Sequence, residues 1–581
     1  MADCGCLPRV AGGIEQAAEY VDEEEFKCDL NLTTNIRLVN VDNILYSLGS
    51  SGKYQITKYF FYYLTMMSAS YHALVIAFIG QQNPQKCAAP PDLPVNQTDD
   101  VFGKCSILSQ NETNVTSCIY GYQYDHPPDM SIVSEFDLVC DQAALSDLSQ
   151  TLLNLGMAVG SSTLTLASDK YGRKPVCVLS HLGCLATGIG AAFAPNYAVF
   201  MVMRFVNGIV QQGTVLTAVT YAIEIFPKEK RRYCGFYGLL MWSVCVMSIA
   251  PIAYLTRMYS WRIVYLALTS ASLYSLIQYW ITDESIRWLV ANNRFEETVR
   301  LVKKAARMNG VNVNEPLKLI YQKELLPIDS EKPTDKLLAV TLDTGEDEKN
   351  QKKALEAGVV ETQVVHVEKY TLLDIFKSRR LAITLFIIWF MWFTNSLTYY
   401  GIFLTSSSLA GNIYLNFFLN ALVEVPSAFI YWFTIDSIGR KKTAMLFHGI
   451  AAFGLIGATI LRMYDDNDAA SISATVFSLI GKLGISGSFN VIFIYTPEVF
   501  PTNIRNISFG TASTAARIGG MLAPFSSLLA ANLPWAPGAI FGACCLIVTI
   551  TILYLPETMG KELPQTMEDL NKLYDKKQGH A

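Results

Sequence analysis

Twelve stretches of this chain are apolar over the length of a bilayer core, which selects lipid as the solvent for most of the protein. Hydrocarbon offers no hydrogen bonds to a backbone, so each stretch must be a helix of roughly 20 residues that satisfies its own amides. The first six lie near 58–80, 148–168, 175–195, 198–222, 234–256 and 261–282. The second six lie near 381–405, 411–434, 443–464, 472–496, 506–530 and 537–556. The composition agrees: of 581 residues, 51% are hydrophobic and only 16% are charged, against about 25% charged in a soluble protein. The expected fold class is an all-α membrane protein with twelve transmembrane helices in two six-helix halves.

Loop charges set the orientation. Lys170, Arg173 and Lys174 follow the second helix; Lys228, Lys230, Arg231 and Arg232 follow the fourth; Arg440, Lys441 and Lys442 follow the eighth. Loops on the other side are poor in Lys and Arg, and one reads Asp465-Asp466-Asn467-Asp468. This places both termini in the cytoplasm, as residues 1–57 and 557–581, together with the polar insert 283–380. The halves are then 58–282 and 381–556. The first apolar run follows an acidic segment with Glu23, Glu24 and Glu25, the wrong flank for a secretory signal, so the first transmembrane helix is expected to direct insertion. The insert opens with an amphipathic pattern from Arg287 to Ala306 and turns acidic and lysine-rich around Thr344 to Lys353. It reads as a helical cap followed by a linker.

The same orientation puts residues 81–147 outside. This segment holds four of the 13 cysteines, Cys87, Cys105, Cys118 and Cys140, and the sequons at Asn96, Asn111 and Asn114. Disulfides and glycans both belong to the outer side, so a braced, glycosylated loop is expected. Four cysteines allow three pairings, and the spacing does not choose among them. Sequons at Asn31 and Asn506 fall on the cytoplasmic side and are expected to stay unmodified.

Two short signatures recur six helices apart. Asp169-Lys170-Tyr171-Gly172-Arg173-Lys174 follows the second helix, and Asp436-Ser437-Ile438-Gly439-Arg440-Lys441 follows the eighth. A helix-end carboxylate, a glycine for the tight turn and then a cation make a clasp to a neighbouring helix. Further charges at cytoplasmic helix ends are Glu224 with Arg231 and Arg232, Glu284 with Arg287, Glu498 with Arg505, and Glu557. One reading is ordinary positive-inside decoration. Repetition favours another, a network that closes the cytoplasmic gate in one state and breaks in the other.

With these turns on the page, the chain resembles the major facilitator superfamily, and within it the animal organic cation, organic anion and carnitine transporter family. The resemblance is carried by Gly49-x-x-Gly52-x-Tyr54-Gln55, Ser134 to Cys140, Asp283 to Leu289, Ala421 to Pro426, and Pro497 to Thr502. It runs from about Asp42 to Met567. One departure is that prolines usual on either side of the Glu-Ser after helix six are replaced by Asp283 and Ile286. The resemblance implies a substrate pocket between the halves at mid-membrane, with Tyr71, Trp242, Trp392 and Tyr399 as its aromatic positions. Aromatic faces attract ammonium groups by about 0.5–2 kcal/mol each, although each ring taken alone reads as packing.

Charge addresses the substrate class. Glu424 lies deep in helix eight, and an intramembrane carboxylate is a functional candidate by default. The alternative is a purely structural pair with an Arg. Arg517 lies within the apolar run of helix eleven, where the resemblance associates Arg with carnitine-type and anion-type members and Asp with cation transporters. Gln212 stands where many cation members have Lys, and Ala428 where anion members have Lys. One buried cation, one buried anion and an aromatic box suit a zwitterion or an organic cation. The leading expectation is therefore an alternating-access transporter of carnitine-like amines at the plasma membrane. Arg517 would meet a carboxylate, while Glu424 and the aromatics meet an ammonium. An organic-anion exchanger using Arg517 alone is the runner-up, and a non-transporting receptor or scaffold is the alternative of another class. The chain shows no phosphate loop, metal-ligand cluster or nucleophile elbow, so neither an enzyme nor a cofactor is expected. A net charge of −5 gives no case for nucleic acid. His72 is a candidate proton-sensitive group, although packing histidines are commoner. Coupling to Na+ or H+ is left open.

Overall fold

A computed structural model describes residues 40–88, 103–108, 115–321, 375–376, 378–405, 411–464, 468–561, 564 and 574. Twelve long helices carry the chain back and forth. The first six are α1 (Lys53–Ile79), α2 (Ala143–Tyr171), α3 (Arg173–Ala192), α4 (Tyr197–Glu224), α5 (Arg231–Leu255) and α6 (Trp261–Thr269 and Ser275–Ile281, joined by the 3-10 turn Ser270–Tyr274). The second six are α7 (Arg379–Leu404), α8 (Ile413–Thr434), α9 (Arg440–Tyr464), α10 (Asp468–Val499), α11 (Thr502–Leu522, continued by Phe525–Asn532) and α12 (Ala536–Thr551). Among the described residues, α2, α6 and α11 fall outside the set of helices both long and apolar enough to span by length and composition. Polar side chains such as Asp147, Gln150 and Asn154 occupy the interior face of α2 instead of lipid-like ones.

Three helices show how the structure departs from the apolar runs. Helix α1 begins at Lys53, because Lys58 is buried against Asp283 at 2.9 Å and continues the helix below the apolar stretch. The second helix runs from Ala143 to Tyr171, past both ends of its apolar run. Helix α11 is interrupted before Pro524, whose missing N–H cannot close the bond to the Gly520 carbonyl four residues back.

Cytoplasmic assignment of the lysine- and arginine-bearing loops names one end of the bundle, called here the basic end; the other is the disulfide end. At the disulfide end, one apolar cluster spans both halves and includes Phe78, Tyr265, Phe403, Phe417 and Phe541. Towards the basic end the core divides. One cluster takes Tyr62, Tyr221 and Trp288 from the first half, and another takes Trp392, Phe447 and Tyr495 from the second. The apolar core is thus continuous across the halves at the disulfide end and divided at the basic end, where Tyr233 and Phe236 of α5 still meet Phe429 and Trp432 of α8.

The loop before α2 is braced by Cys87–Cys118 and Cys105–Cys140, which selects one of the three pairings left open. Two small hairpins, β1 (Gln85–Cys87) with β4 (Tyr122–Tyr124) and β2 (Ile107–Leu108) with β3 (Val115–Thr116), complete it. The loop is fastened to the first half by Glu135, which pairs with Arg262 at 2.5 Å and accepts from the Trp261 indole. Asn31, Asn96, Asn111 and Asn114 lie outside the described residues. On the basic end, short helices Val41–Ser47, Ile286–Ala291, Phe295–Asn309 and Asn314–Tyr321 cap the first half. The acidic stretch of the insert, 344–353, is outside the described residues.

Candidate functional site

The basic-end charges form one device built twice. In the first half, Arg173 pairs with Asp169 at 2.9 Å and with Glu224 at 2.9 Å, and donates to the Ser168 carbonyl. Glu284 accepts from the Arg173 and Lys174 amides at 2.9 and 3.2 Å. In the second half, Arg440 pairs with Asp436 at 2.9 Å and with Glu498 at 3.2 Å, and donates to the Ile435 carbonyl. Glu557 accepts from the Arg440 and Lys441 amides at 2.8 and 3.2 Å. Each carboxylate sits on the first amides of a helix, where unpaired N–H groups favour negative charge.

The glycine of each turn is required by geometry. Gly172 has φ +110° and Gly439 φ +100°, and a Cβ at either would meet the capping carboxylate at 2.4 or 2.5 Å. The left-handed backbone exposes the two amides, and the absent side chain leaves room for the carboxylate.

The partners differ from the sequence expectation. Glu224 takes Arg173 and not Arg231, because the start of α3 lies against the end of α4. Arg287 pairs with Asp42 at 2.5 Å while Glu284 caps amides. Glu498 takes Arg440 and Thr558, and Arg505 donates to the Phe500 and Pro564 carbonyls. Among the described residues these pairs close within one half. The hydrogen bond from Arg287 holds the Asp42 carboxyl below its ordinary range. Burial raises that of Glu284, and the amides of Ser285, Lys174 and Arg173 offset it only in part. At Asp283 burial opposes ionisation, but hydrogen bonds from Lys304 and Lys58 outweigh it and keep the carboxyl low.

The central charges form a different arrangement. Glu424, on α8, accepts from Tyr399 of α7 at 2.7 Å and from Ser243 of α5 at 3.3 Å. Trp242 of α5 donates its indole N–H to the Tyr399 hydroxyl at 3.0 Å. These bonds bring together three predicted residues, Trp242, Tyr399 and Glu424, across the two halves. The partner of Glu424 is Lys482 of α10, at 3.0 Å, with the lysine side chain wholly enclosed and the glutamate 6% exposed. Lys482 was not singled out, because it sits inside a run read for its apolar character; the rule that flagged Glu424 applies equally to a lone intramembrane lysine.

Arg517 of α11 lies beside Tyr400. It keeps part of its side chain accessible, while its Nε is enclosed with no hydrogen-bond partner among the described residues. No ion pair joins it to Glu424. The other predicted positions are elsewhere. Tyr71 bonds Ser248 at 2.7 Å within the first half, and Trp392 donates to Thr496 at 2.9 Å inside the second. Gln212 is buried in α4, and its carbonyl oxygen has no partner among the described residues. Ala428 is buried in α8. His72 is buried beside Ser272, and its backbone carbonyl accepts from Arg204 at 2.7 Å. No group of three or more metal-ligating side chains occurs among the described residues.

The halves are also stitched along α2 and α11. Asn154 donates to the Gly520 carbonyl at 2.9 Å, Thr151 to that of Met521 at 2.9 Å, and Ser527 to Asp147 at 2.9 Å. Gly520 is the carbonyl that Pro524 leaves free, so α2 caps the broken helix of the other half.

A twelve-helix bundle with a repeated clasp and a charged centre between its halves has clear relatives. Residues 96–570 match the family model described as "Sugar (and other) transporter". An organic cation transporter protein of Drosophila melanogaster is 31% identical over 554 residues, covering 91% of this chain and 94% of the relative. Solute carrier family 22 member 3 of Rattus norvegicus is 30% identical over 444 residues, covering 76% and 72%. The chain belongs to the organic-ion transporters of solute carrier family 22, in the major facilitator superfamily. This transporter is a membrane protein and not an enzyme. Its fold is also that of the xylose transporter XylE from E. coli in an inward open conformation, with a TM-score of 0.57, 14% identity, and coverage of 90% of this chain and 100% of the other.

Proposed function

We propose that the transporter moves small organic ions carrying a carboxylate, carnitine-like zwitterions first, by alternating access across the plasma membrane. The observation that carries this reading is Arg517: a guanidinium deep in α11 with an unpartnered Nε and no carboxylate bound to it among the described residues. A planar fork of donors fits a carboxylate bidentately. The wall formed by Glu424, Tyr399 and Trp242 offers an ammonium both a negative charge and aromatic surface. A second reading, a plain organic anion, is favoured by Lys482, which already neutralises Glu424.

The test is uptake of labelled carnitine, hippurate and tetraethylammonium by Arg517→Gln at matched surface expression. Losing a charge-assisted hydrogen bond costs about 1.5–3 kcal/mol, or roughly 10- to 150-fold. Carnitine and hippurate uptake should fall by that factor, with tetraethylammonium spared. Normal carnitine and hippurate uptake in this variant would end the reading.

A further inference from the structure

The Lys482 ammonium lies 3.0 Å from a Glu424 oxygen, 3.3 Å from the centre of the Tyr399 ring and 3.9 Å from that of Phe403. A carboxylate and two aromatic faces around one point are what a substrate ammonium requires. We infer that Lys482 is a tethered occupant of the substrate's cation position, and that it thereby sets the choice between ammonium-bearing and purely anionic substrates. This rests on the reading that the centre between the halves is the substrate site.

The surroundings make the lysine the movable member. Glu424 is fixed by three further groups, Tyr399, Ser243 and, through Tyr399, Trp242. Lys482 has the ion pair and the rings alone, and its Nζ makes no well-angled hydrogen bond among the described residues. Its stem has four flexible carbons. The helix that carries it is held from behind: Gly481 and Gly484 press α10 against Leu455 and Ala451 of α9, where a Cβ would approach to 2.7 and 2.4 Å. The backbone is therefore anchored while the ammonium is not.

An incoming quaternary or primary ammonium displaces Lys482 from Glu424, and the freed lysine stays enclosed between the halves as a second cation in addition to Arg517. A substrate with an ammonium alone meets that unbalanced positive charge. A zwitterion brings a carboxylate to balance it. A plain anion leaves Lys482 in place. The lysine therefore penalises simple cations most and anions least.

The experiment compares uptake of labelled tetraethylammonium and hippurate in wild type, Lys482→Gln and Lys482→Arg at equal surface expression. In Lys482→Gln the tetraethylammonium-to-hippurate ratio should rise by about tenfold, the worth of one vacated cation–π position. Lys482→Arg should keep the wild-type ratio. An unchanged ratio in Lys482→Gln overturns the inference. If Lys482→Gln fails to reach the surface, tetraethylammonium in the medium should restore it and raise the melting temperature of the purified variant, since it refills the vacated position. Absence of both responses also overturns the inference. Arg517→Gln separates this result from the parent reading. Hippurate uptake that survives there strikes the carboxylate anchor. An unmoved ratio in Lys482→Gln, with hippurate lost in Arg517→Gln, strikes the tethered cation alone.

Discussion

The two halves carry the same clasp and different interiors. Asp169, Gly172, Arg173, Glu224 and Glu284 of the first half answer one for one to Asp436, Gly439, Arg440, Glu498 and Glu557 of the second, down to the carbonyl that each arginine meets. Inside, the first half buries Arg204 completely, held by the Gln150 side chain and the His72 carbonyl, with no carboxylate paired to it among the described residues. The second buries an ion pair, Glu424 with Lys482. Repetition follows the turns at the basic end, whereas the divergence lies at the centre proposed to meet the substrate. An arginine satisfied by neutral acceptors is a fixed strut. A pair of opposite charges is something that a third charge can enter.

The sharpest way to break that contrast is to leave one member of the pair alone. Removing one partner of a buried ion pair costs about 3–5 kcal/mol, since the other charge stays enclosed. Glu424→Ala should therefore lower the melting temperature and surface level of the transporter sharply. Adding Lys482→Met removes the stranded ammonium and should restore most of the loss. The measurement is a thermal-unfolding series on the purified single and double variants. Equal destabilisation in both would mean that the two charges act independently.

A second comparison sets the seam between α2 and α11 against that between α5 and α8. In the first, Asn154 caps the Gly520 carbonyl that Pro524 frees. In the second, α5 also carries a proline, Pro251, and α8 an asparagine, Asn420, whose amide has no partner among the described residues. The first seam is latched through a carbonyl that a proline frees, whereas the second is bridged by the Ser243–Glu424 bond instead. Asn154→Ala leaves a buried carbonyl unpaired, at a cost of about 1–3 kcal/mol. Pro524→Ala should return an intrahelical N–H to the same carbonyl, so the double variant should be more stable than the sum of the singles predicts. Additive losses in thermal unfolding would remove the capping argument.

Sequence reasoning reached the parts of this transporter that depend on spacing along one chain segment. Twelve apolar runs gave the helices, and the Asp-x-x-Gly-Arg turns were visible because all their residues are local. What it could not reach was which helix end lies against which. Glu224 was given Arg231 and Arg232 as nearby cations, and the packing of α3 on α4 gave it Arg173 instead. The disulfide pairing was open for the same reason. Glu424 was legible as an intramembrane charge, yet its partner came from α10, 58 positions later in the sequence. Lys482 carries the same signal as Glu424, a lone charge within an apolar run. The break in α11 was written in Pro524, although the acceptance of Gly520 by another half could only come from the fold.

The smallest effect lies within the clasps, where likeness is closest. The Asp169 carboxylate is 63% exposed and the Asp436 carboxylate 38%. Water screens the first more, so the two aspartates should not be equivalent although their geometry is. Exposed pairs of this kind are worth about 0.2–1 kcal/mol, so a rate controlled by the clasp should change by less than roughly fivefold. Each carboxylate pairs with the arginine of its own clasp and not with the central charges, so the proposed gate role assigns its neutralisation to the movement of the halves and not to substrate contact. Asp169→Asn and Asp436→Asn should each lower maximal carnitine uptake with little change in KM, and Asp436→Asn should lower it more. Initial-rate uptake across a substrate series, at matched surface expression, resolves both quantities. A larger fall in Asp169→Asn would show that exposure does not rank the two clasps. Unchanged maximal rates in both variants would show that the aspartates only decorate turns already held by Glu224, Glu284, Glu498 and Glu557.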